Sequence, residues 1–268
     1  MKRFLLILLL GNMLNSAYAQ KLPNVQQASL RAPANVKIDG KADEWGDKYQ
    51  AFNKATEMFY TICNDDENLY LICHFDPSTP IYTKVLTGGI TFLIKDGAKQ
   101  QSFRYPVFDD HPPGFLRAAK GETVIRKEDD PIVIKNNQTL KDQAKTIEVT
   151  GVKNIDSIIS IYNEPGIKVA GRFDAGQGYT YELAIPLKHL HLDNNIAQRF
   201  EYQILLNGGK NKYPKFLNDN TPVIFNMKAA DGSPVSDVEL ARANEIQRRV
   251  LYKNYATTDF SAFYKLSR

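Results

Sequence analysis

One pair of β-rich runs joined by a short acidic turn constrains the fold of this chain most tightly. The segment "FYTICNDDENLYLICHF", Phe59 to Phe75, places the polar stretch "NDDEN" between two runs rich in aromatic and β-branched residues. Such a pattern is a strong signal for a β-hairpin. We expect the turn to lie at Asp65 to Asn68, which sets the register of the two strands that leave it.

The two cysteines of the chain, Cys63 and Cys73, both lie in this hairpin. In the expected register Cys63 pairs with Tyr70 and Cys73 pairs with Tyr60. The two sulfurs are then about three residues apart along the strands, or ~10 Å, whereas a disulfide requires Cα atoms within ~7 Å. We therefore expect two reduced, buried thiols rather than an intrachain disulfide.

Further short runs with β character, bounded by turn residues, follow along the chain. A succession of this kind predicts an all-β fold, a single β-sandwich of immunoglobulin-like kind with few short helices. The predicted strands outside the hairpin are Val36 to Gly40, Gly89 to Lys95, Thr146 to Lys153, Ile158 to Asn163, Gly166 to Phe173, Gly178 to Pro186, Phe200 to Gly208 and Pro222 to Met227.

Helical signals are sparse. Pro186 suits the first position of a short helical turn in "IPLKHLHLD", and a longer amphipathic pattern runs from about Asp237 to Tyr252. The segment from Gln101 to Pro131 is the least regular, and a loop of this length is usually functional or mobile. Its acidic run Glu128 to Asp130 is interpreted as solvated surface.

The N-terminus has the pattern of a secretory signal peptide. Lys2 and Arg3 precede the apolar run Phe4 to Leu10, and small residues at Ala17 and Ala19 suit a cleavage site. We expect residues 1–19 to be removed and residues 20–268 to form the β-sandwich domain. The predicted location is the periplasm or the exterior, without a membrane span, because the apolar run is shorter than the roughly 20 residues a bilayer requires.

Composition argues against a nucleic-acid partner. The formal net charge is +4, and two of the positive side chains belong to the leader. Phosphate binding requires a clustered basic face, and no such cluster is evident. No nucleophile-elbow, zinc-protease, phosphate-loop or dinucleotide motif is present, so we do not expect an enzyme.

No cofactor is predicted. The turn residues Asp65 to Glu67 could supply oxygen ligands to calcium, but they lack the spaced acidic pattern of a calcium loop. Calcium is therefore possible and not indicated, and the sequence leaves the metal content undetermined.

A saccharide site needs a flat aromatic ring beside amides and carboxylates, and the chain has 14 Tyr, 14 Phe and one Trp. Candidate ligand-binding residues lie in loops or late strands, although core packing and buried hydrogen bonds are competing roles for them. These candidates are Phe108, Asp109, His111, Phe115, Tyr162, Asn163, Glu182 and Asn207.

Several motifs together resemble one known group. The stretches "VKIDGKADEWG", "FYTICNDDENLYLICHFDP", "GGITFLI", "GYTYELAIPLKHL" and "TTDFSAFYKL" are similar in order to those of carbohydrate-binding module family 9-like, DOMON-related domains of secreted bacterial proteins. The resemblance implies a jelly-roll sandwich that binds a saccharide without catalysis.

The chain departs from that family at the residues that hold the ligand. Well-studied members clamp a sugar between two tryptophans, whereas Trp45 is the single tryptophan here. The resemblance implies that Trp45 packs in the core. A haem-binding branch would need axial ligands such as Met58 or Met227 paired with His or Lys, and no pairing is evident.

Two functional hypotheses follow from these patterns. The first is a secreted, non-catalytic module that binds a saccharide of unknown identity. The second is an envelope or assembly module that uses the same sandwich to bind another protein.

Overall fold

The computed structural model describes residues 21–46, 48–77, 81–108, 114–115, 130–190, 192, 199–209, 233 and 235–267. The predicted leader and the predicted strand Pro222 to Met227 lie outside these residues. The described chain forms two antiparallel sheets that face each other across an apolar core, which confirms the predicted all-β sandwich.

The first sheet, sheet A, has five strands in the spatial order β1-β2-β3-β9-β8. Their bounds are Ala51–Asn53 for β1, Met58–Asn64 for β2, Asn68–Phe75 for β3, Lys168–Phe173 for β8 and Tyr179–Pro186 for β9.

The second sheet, sheet B, has six strands in the order β11-β10-β4-β5-β6-β7. Their bounds are Ile90–Asp96 for β4, Lys99–Val107 for β5, Thr146–Thr150 for β6, Ile158–Ser160 for β7, Arg199–Leu206 for β10 and Thr258–Lys265 for β11. Strand β5 occupies the start of the segment that the sequence suggested was irregular.

The hairpin of β2 and β3 has the predicted register. Cys63 pairs with Tyr70 and Cys73 pairs with Tyr60, and both cysteines are free and buried. Cys73 belongs to the core between the sheets, whereas Cys63 belongs to a separate small cluster. The two thiols therefore pack in different clusters, on opposite faces of the hairpin, in addition to being offset along it.

The outer face of sheet A is covered by the segment of residues 30–46, which corrects two expectations. Val36 to Gly40 form no strand. Trp45 is half-buried and lies in this cover, where its ring contacts Tyr70 edge-on at 6.1 Å. The physical reason is that Cys63, Tyr70 and Ala184 present apolar surface on the outer face, so β2, β3 and β9 are buried on both sides.

Two longer helices accompany the sandwich. Helix α1, Pro131–Gln143, is capped by Asp130, whose carboxylate accepts a hydrogen bond from the Ile132 amide at 2.8 Å. Asp130 is therefore a helix cap rather than merely a solvated charge, with Pro131 at the first helical position. Helix α2, Asp237–Tyr255, confirms the helix predicted from about Asp237 to Tyr252, although Val238 and Ile246 of its apolar pattern are exposed. No described helix is both long and apolar enough to cross a membrane.

Short helical turns complete the described chain: Asp43–Trp45, Ile81–Val85 followed by Leu86–Gly88, and Leu187–His189. The last of these is the turn predicted after Pro186.

Helix α1 closes one open side of the sandwich. Val133 and Leu140 join the core between the sheets, and the Asn137 side chain bonds to both backbone polar groups of Phe173 in β8, at 2.8 and 2.9 Å. This pair of bonds fixes the helix against the edge strand of sheet A and forms one wall of a cleft.

Candidate functional site

A cleft of about 420 Å³ lies between α1, strand β8 and the loop that follows β7. We call it the Tyr162 cleft. Its polar and aromatic lining side chains are Asp39, Tyr105, Asn137, Gln138, Lys141, Tyr162 and Arg172.

Tyr162 is the exposed aromatic ring of this cleft, with 76% of its surface accessible. Its backbone amide donates to the Ser160 hydroxyl at 3.1 Å, and the Lys145 ammonium lies over the ring at 5.6 Å from the centroid. Most of the ring is open to solvent. A tyrosine held in this way offers a flat surface with a polar hydroxyl at its end.

Asn163 holds the loop that presents Tyr162. Its amide nitrogen donates to the carbonyls of Ser160 and Ile167 at 2.9 and 2.7 Å. Its amide oxygen accepts from the Ile167 amide at 3.0 Å. These bonds engage both ends of the side chain, so Asn163 positions the loop.

The inner wall of the Tyr162 cleft is phenolic. Tyr105 is almost fully buried and lines the cleft, and its ring lies 6.3 Å from that of Tyr181. Burial raises the pKa of Tyr105, and it raises the pKa of Tyr179 and Tyr181 well above the ordinary value. The Tyr105 hydroxyl in the lining therefore stays protonated, as do the buried hydroxyls of Tyr179 and Tyr181 behind it.

Gly171 allows this wall to pack. A Cβ at that position would overlap the Tyr179 hydroxyl. The hydroxyls of Tyr179 and Tyr181 are buried and have no hydrogen-bond partner among the described residues.

The charged lining of the cleft is mainly basic. Lys141 and Arg172 contribute positive charge, and Asp39 contributes one carboxylate. The Asp39 carboxylate accepts a hydrogen bond from the Lys41 amide at 3.0 Å. Within the described residues, no carboxylate lies within ion-pairing distance of Lys141 or Arg172.

A second cleft of about 370 Å³ adjoins the first across Arg172, which lines both. We call it the Tyr49–His74 cleft, because these rings stack in its wall with centroids 5.7 Å apart and planes inclined by 19°. Thr180 bonds to Nδ1 of His74 at 3.1 Å, and Asp174 also lines the cleft.

Glu182 anchors the segment of residues 39–45, which contributes lining to both clefts. This fully buried carboxylate accepts hydrogen bonds from the amides of Asp39 and Gly40 at 2.9 and 2.7 Å and from Nε1 of Trp45 at 2.8 Å. Burial raises its pKa to about 7, although these three bonds act in the opposite direction. The opening motif of residues 38–45 is therefore docked through one buried acid.

The tight fit at Gly40 explains why a glycine stands there. Its φ is +82°, and a Cβ would overlap the Cβ of Arg172. Gly40 thus lets the anchored segment approach strand β8, next to the boundary between the two clefts.

The predicted site residues have different positions in the structure. Tyr162 lines the cleft, whereas Asn163 and Glu182 hold backbone segments. Asn207 also has a structural role, because its amide donates to the Gly89 carbonyl at 3.1 Å and to the Thr91 hydroxyl at 2.7 Å.

The predicted aromatic pair Phe108 and Phe115 packs against the core. Their ring centroids are 6.5 Å apart, and Phe115 also contacts Phe173 at 5.9 Å. Asp109 and His111 lie outside the described residues.

The described residues contain no group of three His, Cys, Asp or Glu side chains arranged to hold a metal ion. The Asp65 carboxylate in the hairpin turn accepts bonds from the amides of Glu67 and Asn68 and from the Tyr70 hydroxyl. Met58 is fully buried in the core, and Met227 lies outside the described residues.

Sequence reasoning missed the residues that α1 and β8 bring to the cleft, namely Asn137, Lys141 and Arg172. The Asp130-Pro131 pair is a helix-start signal that could have located α1. No signal in the sequence places the basic residues of α1 beside Arg172, which lies about thirty residues further along the chain.

Comparison with known proteins gives little further information. No protein-family model matches the chain, and no curated protein matches it. Among solved structures, the chain is similar to a carbohydrate-binding module of family 9 from Caldicellulosiruptor kristjanssonii in complex with glucose. The identity is 14%, the match covers 67% of this chain and 78% of that chain, and the TM-score is 0.29. A similarity at this level carries no inference about the ligand of this chain.

Proposed function

We propose that this protein is an exported, non-catalytic module that binds a saccharide in the Tyr162 cleft. The single observation that carries the proposal is the 76% exposed ring of Tyr162 at a concave cleft whose lining combines apolar side chains with a few polar ones. A sugar ring can place its apolar C–H face on the tyrosine while its hydroxyls face polar side chains.

The polar side chains around Tyr162 suit hydroxyl recognition. Gln138, Lys141 and Arg172 line the same cleft, and each carries N–H donors. Concave sites with a few convergent polar groups are the usual form of small-ligand sites. The resemblance of the sequence motifs to family 9 carbohydrate-binding modules points to the same class of ligand.

The composition of the cleft favours binding over catalysis. The described lining contains no Ser, Cys or His, and Asp39 is its one carboxylate. Glycoside hydrolysis generally uses two facing carboxylates, and acyl transfer uses a nucleophile beside a base. The described residues of the Tyr162 cleft provide neither arrangement.

Export is part of the proposal because of the leader pattern at residues 1–19. Cleavage near Ala19 would be detected by the intact mass of the protein recovered from the periplasm or the medium.

A titration with defined oligosaccharides, followed by backbone amide NMR shifts, tests the binding proposal. Wild-type protein should bind at least one saccharide, with shifts at residues around Tyr162. The Tyr162→Ala variant should lose binding. Tyr252→Ala is the matched control, because Tyr252 is also an exposed tyrosine, at 65%, but lies on α2 outside the cleft. An absence of binding to a broad saccharide panel would refute the proposal.

A second candidate function, binding to another protein, is favoured by helix α2. Val238, Ile246 and Tyr252 on this helix are 78%, 55% and 65% exposed, and exposed apolar side chains are common at protein interfaces. Under this alternative, Tyr252→Ala weakens capture of a stoichiometric protein partner and Tyr162→Ala leaves it unchanged. The two variants thus separate the two functions.

A further inference from the structure

We infer that the ligand of the Tyr162 cleft is an acidic saccharide whose carboxylate is recognised by Arg172. This inference rests on the proposed saccharide-binding function and specifies the substrate class. It derives from the charges around the cleft rather than from its aromatic ring.

Three basic side chains surround Tyr162 without a carboxylate partner among the described residues. Lys141 and Arg172 line the cleft, and the Lys145 ammonium lies over the Tyr162 ring. Some basic side chains elsewhere on the surface have acidic partners, as in the Lys95–Glu201 pair at 3.0 Å and the Arg31–Asp66 pair at 2.9 Å, and others, such as Lys168, have none among the described residues. The three cations around Tyr162 are distinguished by lying together in or beside one cleft. The cations of the cleft are therefore available to a ligand.

The acidic groups nearby do not neutralise this set. Asp39 lines the cleft, but its carboxylate accepts a bond from the Lys41 amide. Asp142 is exposed and accepts a bond from the Gln138 amide at 2.8 Å. Asp43 and Asp174 line the adjoining cleft that Arg172 also lines. Among the described residues, none of these four carboxylates is paired with Lys141, Lys145 or Arg172.

Arg172 has the best position for carboxylate recognition. It is half-buried on β8, beside the Gly40 backbone, and lines both the Tyr162 cleft and the Tyr49–His74 cleft. Its backbone and Cβ are fixed against Gly40, and charges on a partly buried residue are screened less by solvent than those on an exposed one. The fork of N–H groups on its guanidinium matches the two oxygens of a carboxylate.

The chemistry expected from this arrangement is a sugar ring on Tyr162 with a uronic acid carboxylate at Arg172. Charge complementarity of this kind contributes specificity against neutral ligands. It also makes binding sensitive to ionic strength, because the exposed Lys141 and the half-buried Lys145 act through interactions that salt screens.

The test compares one saccharide in charged and neutral forms by calorimetry: an oligogalacturonate and the same oligomer with its carboxylates methyl-esterified. We expect the acid to bind on the order of tenfold more tightly than the ester, since a charge-assisted pair is lost in the ester. Raising the salt concentration should weaken binding of the acid and leave binding of the ester unchanged.

Variants locate the effect. Arg172→Gln should abolish the preference for the acid, whereas Lys168→Gln should keep it. Lys168 is the matched control, because it lies exposed on the same strand, outside the cleft, and loses the same charge. If Arg172→Gln is unfolded by circular dichroism, Lys141→Gln should reduce the preference instead.

The outcomes separate this inference from the proposed function. Equal affinity for acid and ester overturns the inference and leaves saccharide binding standing. Tighter binding of the acid that survives both Arg172→Gln and Lys141→Gln also overturns it. If the acid, the ester and every other saccharide of a broad panel fail to bind, both are overturned.

Discussion

The buried acid Glu182 makes the stability of this protein depend on pH in a way that one substitution can remove. Its pKa is raised from 4.5 to about 7, chiefly by burial. The folded protein therefore binds a proton at a pH where the unfolded chain does not. Stability from this source is fully present below pH 4.5 and is lost as the pH rises through about 7.

The size of the effect follows from the two pKa values. A difference of one pKa unit corresponds to about 1.4 kcal/mol, so the shift from 4.5 to about 7 corresponds to about 3 kcal/mol. As the pH falls from 8 to 5, protonation of Glu182 should increase the free energy of unfolding by up to this amount. In Glu182→Gln this contribution should be missing.

Urea unfolding at pH 5 and pH 8 measures this difference. Other titrating groups contribute to both proteins and cancel when the wild-type change is compared with that of Glu182→Gln. Glu201→Gln is the matched control, because Glu201 is a half-buried acid paired with Lys95 on the outer face of sheet B. This control should keep the wild-type pH dependence.

Fluorescence provides an independent readout in the native state. Trp45 is the single tryptophan of the chain, and its indole N–H donates to Glu182 at 2.8 Å. Its emission should titrate with a midpoint near pH 7. Native emission that stays constant from pH 5 to 9, or an equal pH dependence of stability in Glu182→Gln, would refute the reasoning.

Three further predictions concern the loop, the wall and the thiols. Asn163→Ala should lower the free energy of unfolding by about 1–3 kcal/mol in urea titrations, because the Ile167 amide loses its acceptor; an unchanged midpoint contradicts this. Gly171→Ala should destabilise the protein by about 1–3 kcal/mol through overlap with Tyr179, and wild-type thermal stability would argue against that packing. Cys63 and Cys73 are buried, and burial raises the pKa of Cys63 to about 12. Native protein should therefore resist thiol reagents until denaturant is added, and rapid labelling at neutral pH would exclude this arrangement.

The hairpin shows how much of the fold is local. Its turn residues and alternating runs lie within seventeen consecutive residues, Phe59 to Phe75, so the register and the separation of the cysteines were predictable. Most other strands were predicted for the same reason. Three strands were not predicted. Strand β1 has only three residues, and β5 overlaps the segment that was interpreted as irregular. Strand β11 was recognised only as part of a motif.

Trp45 shows where local pattern is insufficient. The motif resemblance placed the indole in the core, whereas it lies half-buried against the outer face of sheet A. The continuous apolar run Leu69 to Cys73 in β3 is typical of a strand buried on both faces, and it was the available signal for a covering segment. The partner of the indole, Glu182, is 137 residues away in the chain.

The candidate site likewise combines features that the sequence predicts with features that only the tertiary structure shows. The sequence by itself determined the sandwich, the hairpin register and the choice of Tyr162 as an aromatic candidate, because each depends on neighbouring residues and their periodicity. Only the tertiary structure decided that Lys141 of α1 and Arg172 of β8 line the same cleft as that ring. Packing of α1 against the edge of sheet A brings these distant charges together, and short-range sequence patterns carry no information about such a contact.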